Sequence, residues 1–224
     1  MAIRKRKASE KPVPARRSPT LRGAAKQEPG SGLNKPASSL SERAPHSSVA
    51  FDPQRYLRER VRAVPNFPTQ GVLFRDLTPL LADPRAFSLV LDSLASPFIG
   101  EPVDAIVAVE ARGFIFGAAL AQRLNLSFVP VRKPGKLPAR VERVAYQLEY
   151  GSAELEIHRD ALKRGARVLV VDDVLATGGT AAAAGELVRR RGGSVVAYLF
   201  ALEIAALGGR AVLAPAPVLA TLTF

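Results

Sequence analysis

The 224-residue sequence contains no cysteine, which excludes both a disulfide framework and a thiolate metal site. Histidine is almost as scarce: His46 and His158 are the only two, too few for a His-rich metal centre and a poor basis for a catalytic dyad. No apolar run approaches the roughly 18–20 residues of a membrane span, so an integral membrane protein is not expected. Aromatic residues are missing from the first fifty positions, and the first is Phe51. That stretch instead holds 11 Lys/Arg against 3 Asp/Glu, a net of +8, among many Pro, Ser and Ala residues. With so little to bury it does not offset its ordering entropy, so residues 1–50 are expected to form a disordered basic extension.

Residues 51–224 carry 21 Lys/Arg against 17 Asp/Glu, a net of +4, and have the length and composition of one domain. The charge of the whole chain, +12, suggests a nucleic-acid or membrane-surface partner. Divided this way, most of it belongs to the extension, and no nucleic acid or membrane is expected to bind the domain. The extension is Arg- and Ser-rich and acid-poor like a targeting peptide, but its prolines and lack of an amphipathic pattern count against that role. Translation beginning nearer Val49 is an equal alternative. The absence of cysteine agrees with a cytoplasmic location.

Within the domain, apolar patterning alternates between two periods. Asp52-Pro53 opens a helix over 54–62, and Val64-Pro65-Asn66-Phe67-Pro68 ends it. Residues 72–76 read as a short extended segment. Asp83-Pro84 offers a capping carboxylate and a proline at the first helical position, before Phe87, Val90, Leu91 and Leu94 at helical spacing. Residues 106–109, 128–131, 153–157, 167–171, 194–202 and 218–224 read as strands, and 114–124 and 181–191 as helices, the latter stopped by Gly192-Gly193. Strands alternating with helices predict an α/β domain with a mainly parallel sheet flanked by helices. In such sheets ligands bind beyond the carboxyl ends of the strands, so the residues that follow each strand matter most.

The most informative of these ends is Val168-Leu169-Val170-Val171-Asp172-Asp173-Val174-Leu175-Ala176-Thr177-Gly178-Gly179-Thr180. An apolar strand delivers two adjacent carboxylates, and a loop of small residues then enters an Ala-rich helix. Gly178 and Gly179 allow close backbone approach, the helix start offers free N–H groups, and Thr177 and Thr180 add hydroxyls. Phosphate suits such a cup. Asp172 and Asp173 would repel phosphate, and are better suited to accept from the hydroxyls of a phosphorylated sugar. The loop is neither a Walker A sequence nor a Gly-x-Gly-x-x-Gly fingerprint.

This segment resembles the phosphoribosyl pyrophosphate-binding motif of type I phosphoribosyltransferases. Four further segments narrow the resemblance to the adenine phosphoribosyltransferase family: Asn66-Phe67-Pro68-Thr69-Gln70-Gly71-Val72-Leu73-Phe74-Arg75-Asp76, Glu110-Ala111-Arg112-Gly113-Phe114-Ile115-Phe116-Gly117, Val131-Arg132-Lys133-Pro134-Gly135-Lys136-Leu137-Pro138 and Tyr146-Gln147-Leu148-Glu149-Tyr150-Gly151. It covers roughly residues 52–224. The resemblance implies a type I phosphoribosyltransferase fold with a flexible flap. It also implies a purine-salvage reaction: adenine and phosphoribosyl pyrophosphate giving AMP and pyrophosphate, with Mg2+ held mainly by substrate pyrophosphate and ribose hydroxyls, in a homodimer.

By the same resemblance, Asp172, Asp173, Ala176, Thr177, Gly178, Gly179 and Thr180 hold the ribose phosphate. Arg112, Arg132, Lys133 and Lys136 face the pyrophosphate, with Arg112 and Lys136 its best ligands, and no side-chain metal cage is implied. Preorganised cations stabilise the charge that develops on the leaving group, and a closing loop excludes water. Glu149 on the flap is the acid/base candidate for the imidazole edge of adenine. Leu73, Phe74 and Arg75 receive the base: Phe74 stacks, while backbone groups of Leu73 and Arg75 read its amine edge. Oxopurine enzymes place a carboxylate where this chain has Leu175-Ala176, which argues for adenine.

Each residue also has a plainer reading. Arg112 could pair with Glu110 or cap a helix, and the basic loop could be a solvated face. Glu149 could be a surface residue of a hairpin, Phe74 ordinary core, and Asp76 only an orienting partner for Arg75. Arg189-Arg190-Arg191 reads as cations complementing a helix carboxyl end, and His158 as structural. Two positions depart from the family pattern: Ala118-Ala119, where a proline is common, and Ala145, where a hydroxyl residue is common. A different class of function also remains open, a nucleic-acid-binding regulator that senses phosphoribosyl pyrophosphate.

Overall fold

The computed structural model describes residues 51–147 and 151–224. The chain enters through α1 (Pro53–Arg58), where Asp52 Oδ1 accepts from the N–H groups of Gln54 and Arg55 at 2.9 and 3.2 Å. This helix is shorter than its apolar pattern predicts, because Arg62–Pro65 forms β1 and pairs antiparallel with β2 (Leu73–Asp76). Pro65 lies at the end of that edge strand, where a missing N–H costs no central ladder bond. A one-turn helix α2 (Thr78–Ala82) follows, and Asp83 caps α3 (Pro84–Ala95) through the N–H groups of Arg85 and Ala86 at 3.0 and 3.1 Å.

The remaining elements are β3 (Ala105–Val109), α4 (Gly113–Leu124), β4 (Ser127–Val131), β5 (Val141–Gln147), β6 (Ser152–His158), β7 (Arg167–Leu175), α5 (Gly179–Arg190), β8 (Ser194–Glu203), α6 (Gly209–Val212) and β9 (Val218–Thr223). Five strands form a wholly parallel sheet in the order β4-β3-β7-β8-β9. The expected mainly parallel α/β sheet is thus present. The predicted strand at 153–157 lies outside it: β6 pairs antiparallel with β5 in a separate two-stranded sheet.

Both faces of the sheet are buried, as near-continuous apolar strands require. On one face Ile106, Ala108, Leu169 and Val171 pack with Val90, Leu94, Phe116 and Leu120 of α3 and α4. On the other, Val107, Val109, Val168 and Val170 meet Ala184, Leu187 and Val188 of α5 and Leu155 and Ile157 of β6. Each fully buried Val, Leu or Ile contributes about 1.5–3 kcal/mol of apolar burial. Helix α4 leaves β3 toward β4, and α5 leaves β7 toward β8, on opposite faces. The order of connection therefore reverses between β3 and β7, and a crevice opens there beyond their carboxyl ends.

Candidate active site

Two sequence segments meet at that crevice: Glu110-Ala111-Arg112 after β3, and Asp172-Asp173 in β7. The predicted end of the second strand at Val171 is four residues early. Asp172, Val174 and Leu175 still pair with Phe200, Leu202 and Glu203 of β8. The backbone stays in the sheet while the carboxylates face the ligand space.

Asp173 is 8% exposed and forms an ion pair with the half-exposed guanidinium of Arg112, sixty-one positions away. Arg112 therefore pairs with Asp173; Glu110 bonds elsewhere. Asp172 Oδ1 accepts from the Asp173 N–H at 2.9 Å. Burial, and then repulsion from the Asp173 carboxylate, push the Asp172 carboxyl well above the ordinary aspartate range.

Beyond β7 the chain bends through Ala176, Thr177, Gly178 and Gly179 into α5. These residues, with Asp172, Val174, Thr180 and Phe200, line a small cup of about 70 Å³. Gly178 has φ +85, and a Cβ there would lie 2.6 Å from the Gly209 carbonyl oxygen. Gly209 in turn sits so close beneath the cup that its own Cβ would come 2.1 Å from the Ala176 carbonyl oxygen. The α6 turn is fastened by Arg210, which pairs with buried Glu203 and donates to the Val218 carbonyl at 2.6 Å. Gly209→Ala should push the cup outward at a cost of about 1–3 kcal/mol. We expect roughly tenfold weaker ribose 5-phosphate binding by calorimetry. Unchanged affinity would mean that the cup does not need this support.

A cavity of about 590 Å³ adjoins the cup, within the usual range for a small-molecule site. Leu73, Phe74 and Arg75 of β2 form one wall, and Ile204 and Leu207, just past β8, also line it. Phe74 is half-buried against Phe67, ring centroids 5.1 Å apart, and has the Arg112 guanidinium 5.8 Å from its centroid. Asp76 does not orient Arg75. It accepts from the N–H and hydroxyl of Thr78 at 2.8 and 2.6 Å and pairs with Arg62, while Arg75 lies over the Phe224 ring. Ile204 and Leu207 are absent from the sequence reading. The signal was their position after a parallel strand's carboxyl end.

A second cavity, of about 400 Å³, shares Arg112, Asp172, Asp173 and Thr180 with the first and is also lined by Glu110, Lys133 and Tyr146. Glu110 structures the basic loop. Its Oε1 accepts from Arg132 at 2.6 Å and its Oε2 from the Lys133 N–H at 3.2 Å, and the Arg132 bond, the largest cause, holds its carboxyl below the usual range. Arg132 also donates to the Lys136 carbonyl at 2.9 Å, so its guanidinium is engaged within the loop. Lys133 reaches the cavity, whereas Lys136 is exposed at the loop's surface. Thr180 donates its hydroxyl to Tyr146 at 3.3 Å. Glu149 lies outside the described residues.

The Arg189–Arg191 run serves the fold: Arg189 and Arg190 pair with Glu186, and Arg190 also donates to the Arg143 carbonyl at 3.2 Å. His158 closes β6 and lines neither of these cavities.

Comparison with known proteins agrees with this geometry. Residues 85–205 match the family model described as the phosphoribosyl transferase domain. The adenine phosphoribosyltransferase of Sorangium cellulosum is 64% identical over 160 residues, covering 71% of this chain and 80% of the relative. That of Acidobacterium capsulatum is 54% identical over 166 residues, covering 74% and 90%. Among solved structures, the adenine phosphoribosyltransferase of Thermoanaerobacter pseudethanolicus superimposes with a TM-score of 0.74 at 46% identity, covering 76% of this chain and 99% of that one. The Saccharomyces cerevisiae enzyme, complexed with D-2,5-dideoxy-2,5-imino-altritol 1,6-bisphosphate and adenine, gives a TM-score of 0.71 at 42% identity, covering 75% and 97%. The chain belongs to the phosphoribosyl transferase family and, within it, to the adenine phosphoribosyltransferases.

Proposed function

We propose that this chain transfers the 5-phosphoribosyl group of phosphoribosyl pyrophosphate to adenine, giving AMP and pyrophosphate in purine salvage. The observation that carries this reading is the shared wall of Arg112, Asp172 and Asp173 between an apolar-walled cavity and one that Lys133 of the basic loop also lines, with the small cup alongside. One substrate with a phosphate, a ribose and a pyrophosphate spans that arrangement, and a flat base enters from the apolar side.

The 5′-phosphate sits in the cup on backbone N–H groups and the hydroxyls of Thr177 and Thr180, at the start of α5. Asp172 and Asp173 accept from the ribose hydroxyls. Adenine lies between the Leu73-Phe74-Arg75 wall and the side chains of Ile204 and Leu207. A ring nitrogen bonds to the anomeric carbon as the bond to pyrophosphate breaks, and that bonding pair leaves with the pyrophosphate. Arg112, Lys133 and Lys136 hold the departing charge, and Arg132 shapes the loop that presents them. Glu149 takes up the proton that the imidazole edge loses.

No group of three or more potential metal-ligating side chains occurs among the described residues. The hard oxygens of Asp172 and Asp173 suit Mg2+ bound mainly through substrate, a mode in which the ion keeps several waters. Bound there, Mg2+ would supply positive charge to neutralise the pyrophosphate. No described helix is long and apolar enough to cross a membrane, and we infer a cytoplasmic homodimer on the family pattern.

Base selection tests this reading. With phosphoribosyl pyrophosphate and Mg2+, adenine should be converted at least a hundredfold more efficiently than hypoxanthine or guanine. Preferential turnover of hypoxanthine would overturn the substrate assignment. Tight phosphoribosyl pyrophosphate binding without turnover of any base would favour a sensing role.

A further inference from the structure

The β5–β6 hairpin carries a buried carboxylate that the proposed reaction does not use. Glu156 is 2% exposed in the middle of β6. Its backbone bridges to the end of β4: Arg132 N–H donates to the Glu156 carbonyl at 3.0 Å, and Glu156 N–H donates to the Arg132 carbonyl at 2.7 Å. Its side chain faces two further partners. Oε1 accepts from the Arg143 guanidinium of β5, with the Nε contact at 3.0 Å. Oε2 accepts from the Gly135 N–H at 3.0 Å.

Gly135, at φ +73, is the turn of the Lys133-Pro134-Gly135-Lys136 loop. One residue thus joins three pieces: the edge of the main sheet, the hairpin and the basic loop. Glu110 holds the stem of that loop through Arg132 and the Lys133 N–H, while Glu156 holds its turn. The two lysines are close in sequence and repel each other. The Glu156 carboxylate, bonded to the Gly135 N–H, sets the main chain between them. Buried charge is costly unless paired and hydrogen-bonded, and here Arg143 supplies the pair and Gly135 the second donor.

We propose that Glu156 is a positioning residue for pyrophosphate recognition: from beneath the basic loop it fixes the Gly135 turn, and so sets affinity for the pyrophosphoryl part of the substrate. The inference rests on reading this loop as the pyrophosphate ligand. It does not require Glu156 to touch substrate.

AMP separates this role from general structural support, because it fills the cup, the ribose site and the base wall but carries no pyrophosphate. In the full chain, Glu156→Ala should weaken binding of phosphoribosyl pyrophosphate and of free pyrophosphate by roughly tenfold or more, measured calorimetrically with Mg2+. Glu156→Gln keeps an oxygen for the Gly135 N–H and should lose only about threefold to fivefold. For both, AMP affinity and the KM for adenine should stay within about twofold of wild type. Should the alanine variant not fold, the glutamine variant decides. Wild-type pyrophosphate affinity in a folded variant, or an equal fall in AMP affinity, would overturn the proposal. Failure of the wild-type chain to bind AMP would instead count against the proposed function.

Discussion

Replacing Arg112 with methionine should slow AMP formation by about 10²–10³-fold, the usual cost of removing one preorganised group that stabilises developing charge. Methionine retains much of the stem's packing and removes the charge. The guanidinium lies on the wall shared by both cavities, at the turn from β3 into α4. From there it can follow negative charge as it moves onto pyrophosphate. A second loss adds to the first. Asp173 is buried and bonded to this arginine, and without it stands as an uncompensated charge in the floor of the site. The fall should appear in kcat/KM for phosphoribosyl pyrophosphate with little change in the KM for adenine. Lysine should rescue poorly, because a point charge does not reproduce the directed Nε–H bond that meets Asp173. Steady-state kinetics with phosphoribosyl pyrophosphate varied would check this. A loss below about tenfold would remove Arg112 from the mechanism.

Replacing Asp172 with asparagine should move stability and binding in opposite directions. Burial, then the neighbouring Asp173 carboxylate, raise the Asp172 pKa above its unfolded value. A carboxyl raised in this way favours the fold fully only below its unfolded pKa, near 4, and that contribution is lost as pH rises through the folded value. At neutral pH a carboxyl that resists ionisation at the foot of the crevice therefore disfavours the fold. A non-titrating amide at this position removes that cost, so the Asp172→Asn variant should melt higher than wild type at pH 7–8. Each kcal/mol relieved is worth about 2–4 °C in a domain of this size. The difference should vanish near pH 4. Binding should suffer, because hydrogen bonds to a charged acceptor contribute about 1.5–3 kcal/mol, a loss of roughly 10–100-fold in affinity for phosphoribosyl pyrophosphate. Thermal melts across pH and calorimetric titration would check the two halves separately. A variant that neither melts higher nor binds more weakly would contradict both the cost of ionising this carboxyl and its role in holding ribose.

The parts of the fold legible in sequence were those with a strong physical signature. The apolar runs at 106–109, 167–171 and 194–202 became the buried centre of the sheet, and the Asp83-Pro84 cap marked its helix. Strand β5 was missed because Val141-Glu142-Arg143-Val144-Ala145-Tyr146 mixes charges into a face that packs only on one side. Strand β1 was hidden by Pro65, which an edge strand tolerates. The predicted end of β7 at Val171 fell short because its last residues face a ligand crevice, where polar side chains do not end a strand.

The candidate site divides in the same way. Phosphate cups and cationic loops have distinctive compositions, so Asp172 through Thr180 and Arg112 through Lys136 stood out. Their pairings did not. That Arg112 meets Asp173, and Arg132 meets Glu110, follows from β3 lying between β4 and β7. Ile204 and Leu207 escaped notice because an apolar wall for a base has the same composition as ordinary core. Glu156 reads as one polar position in a strand, and its three-way connection exists only in the folded chain.

The central claim is that one site joins adenine to the phosphoribosyl group and releases pyrophosphate. The most direct measurement follows AMP and pyrophosphate together, from labelled adenine and phosphoribosyl pyrophosphate with Mg2+, using the purified full chain. AMP and pyrophosphate should appear in equal amounts, and both should require adenine. Pyrophosphate released at the same rate without adenine, or no AMP at saturating substrates, would contradict the account.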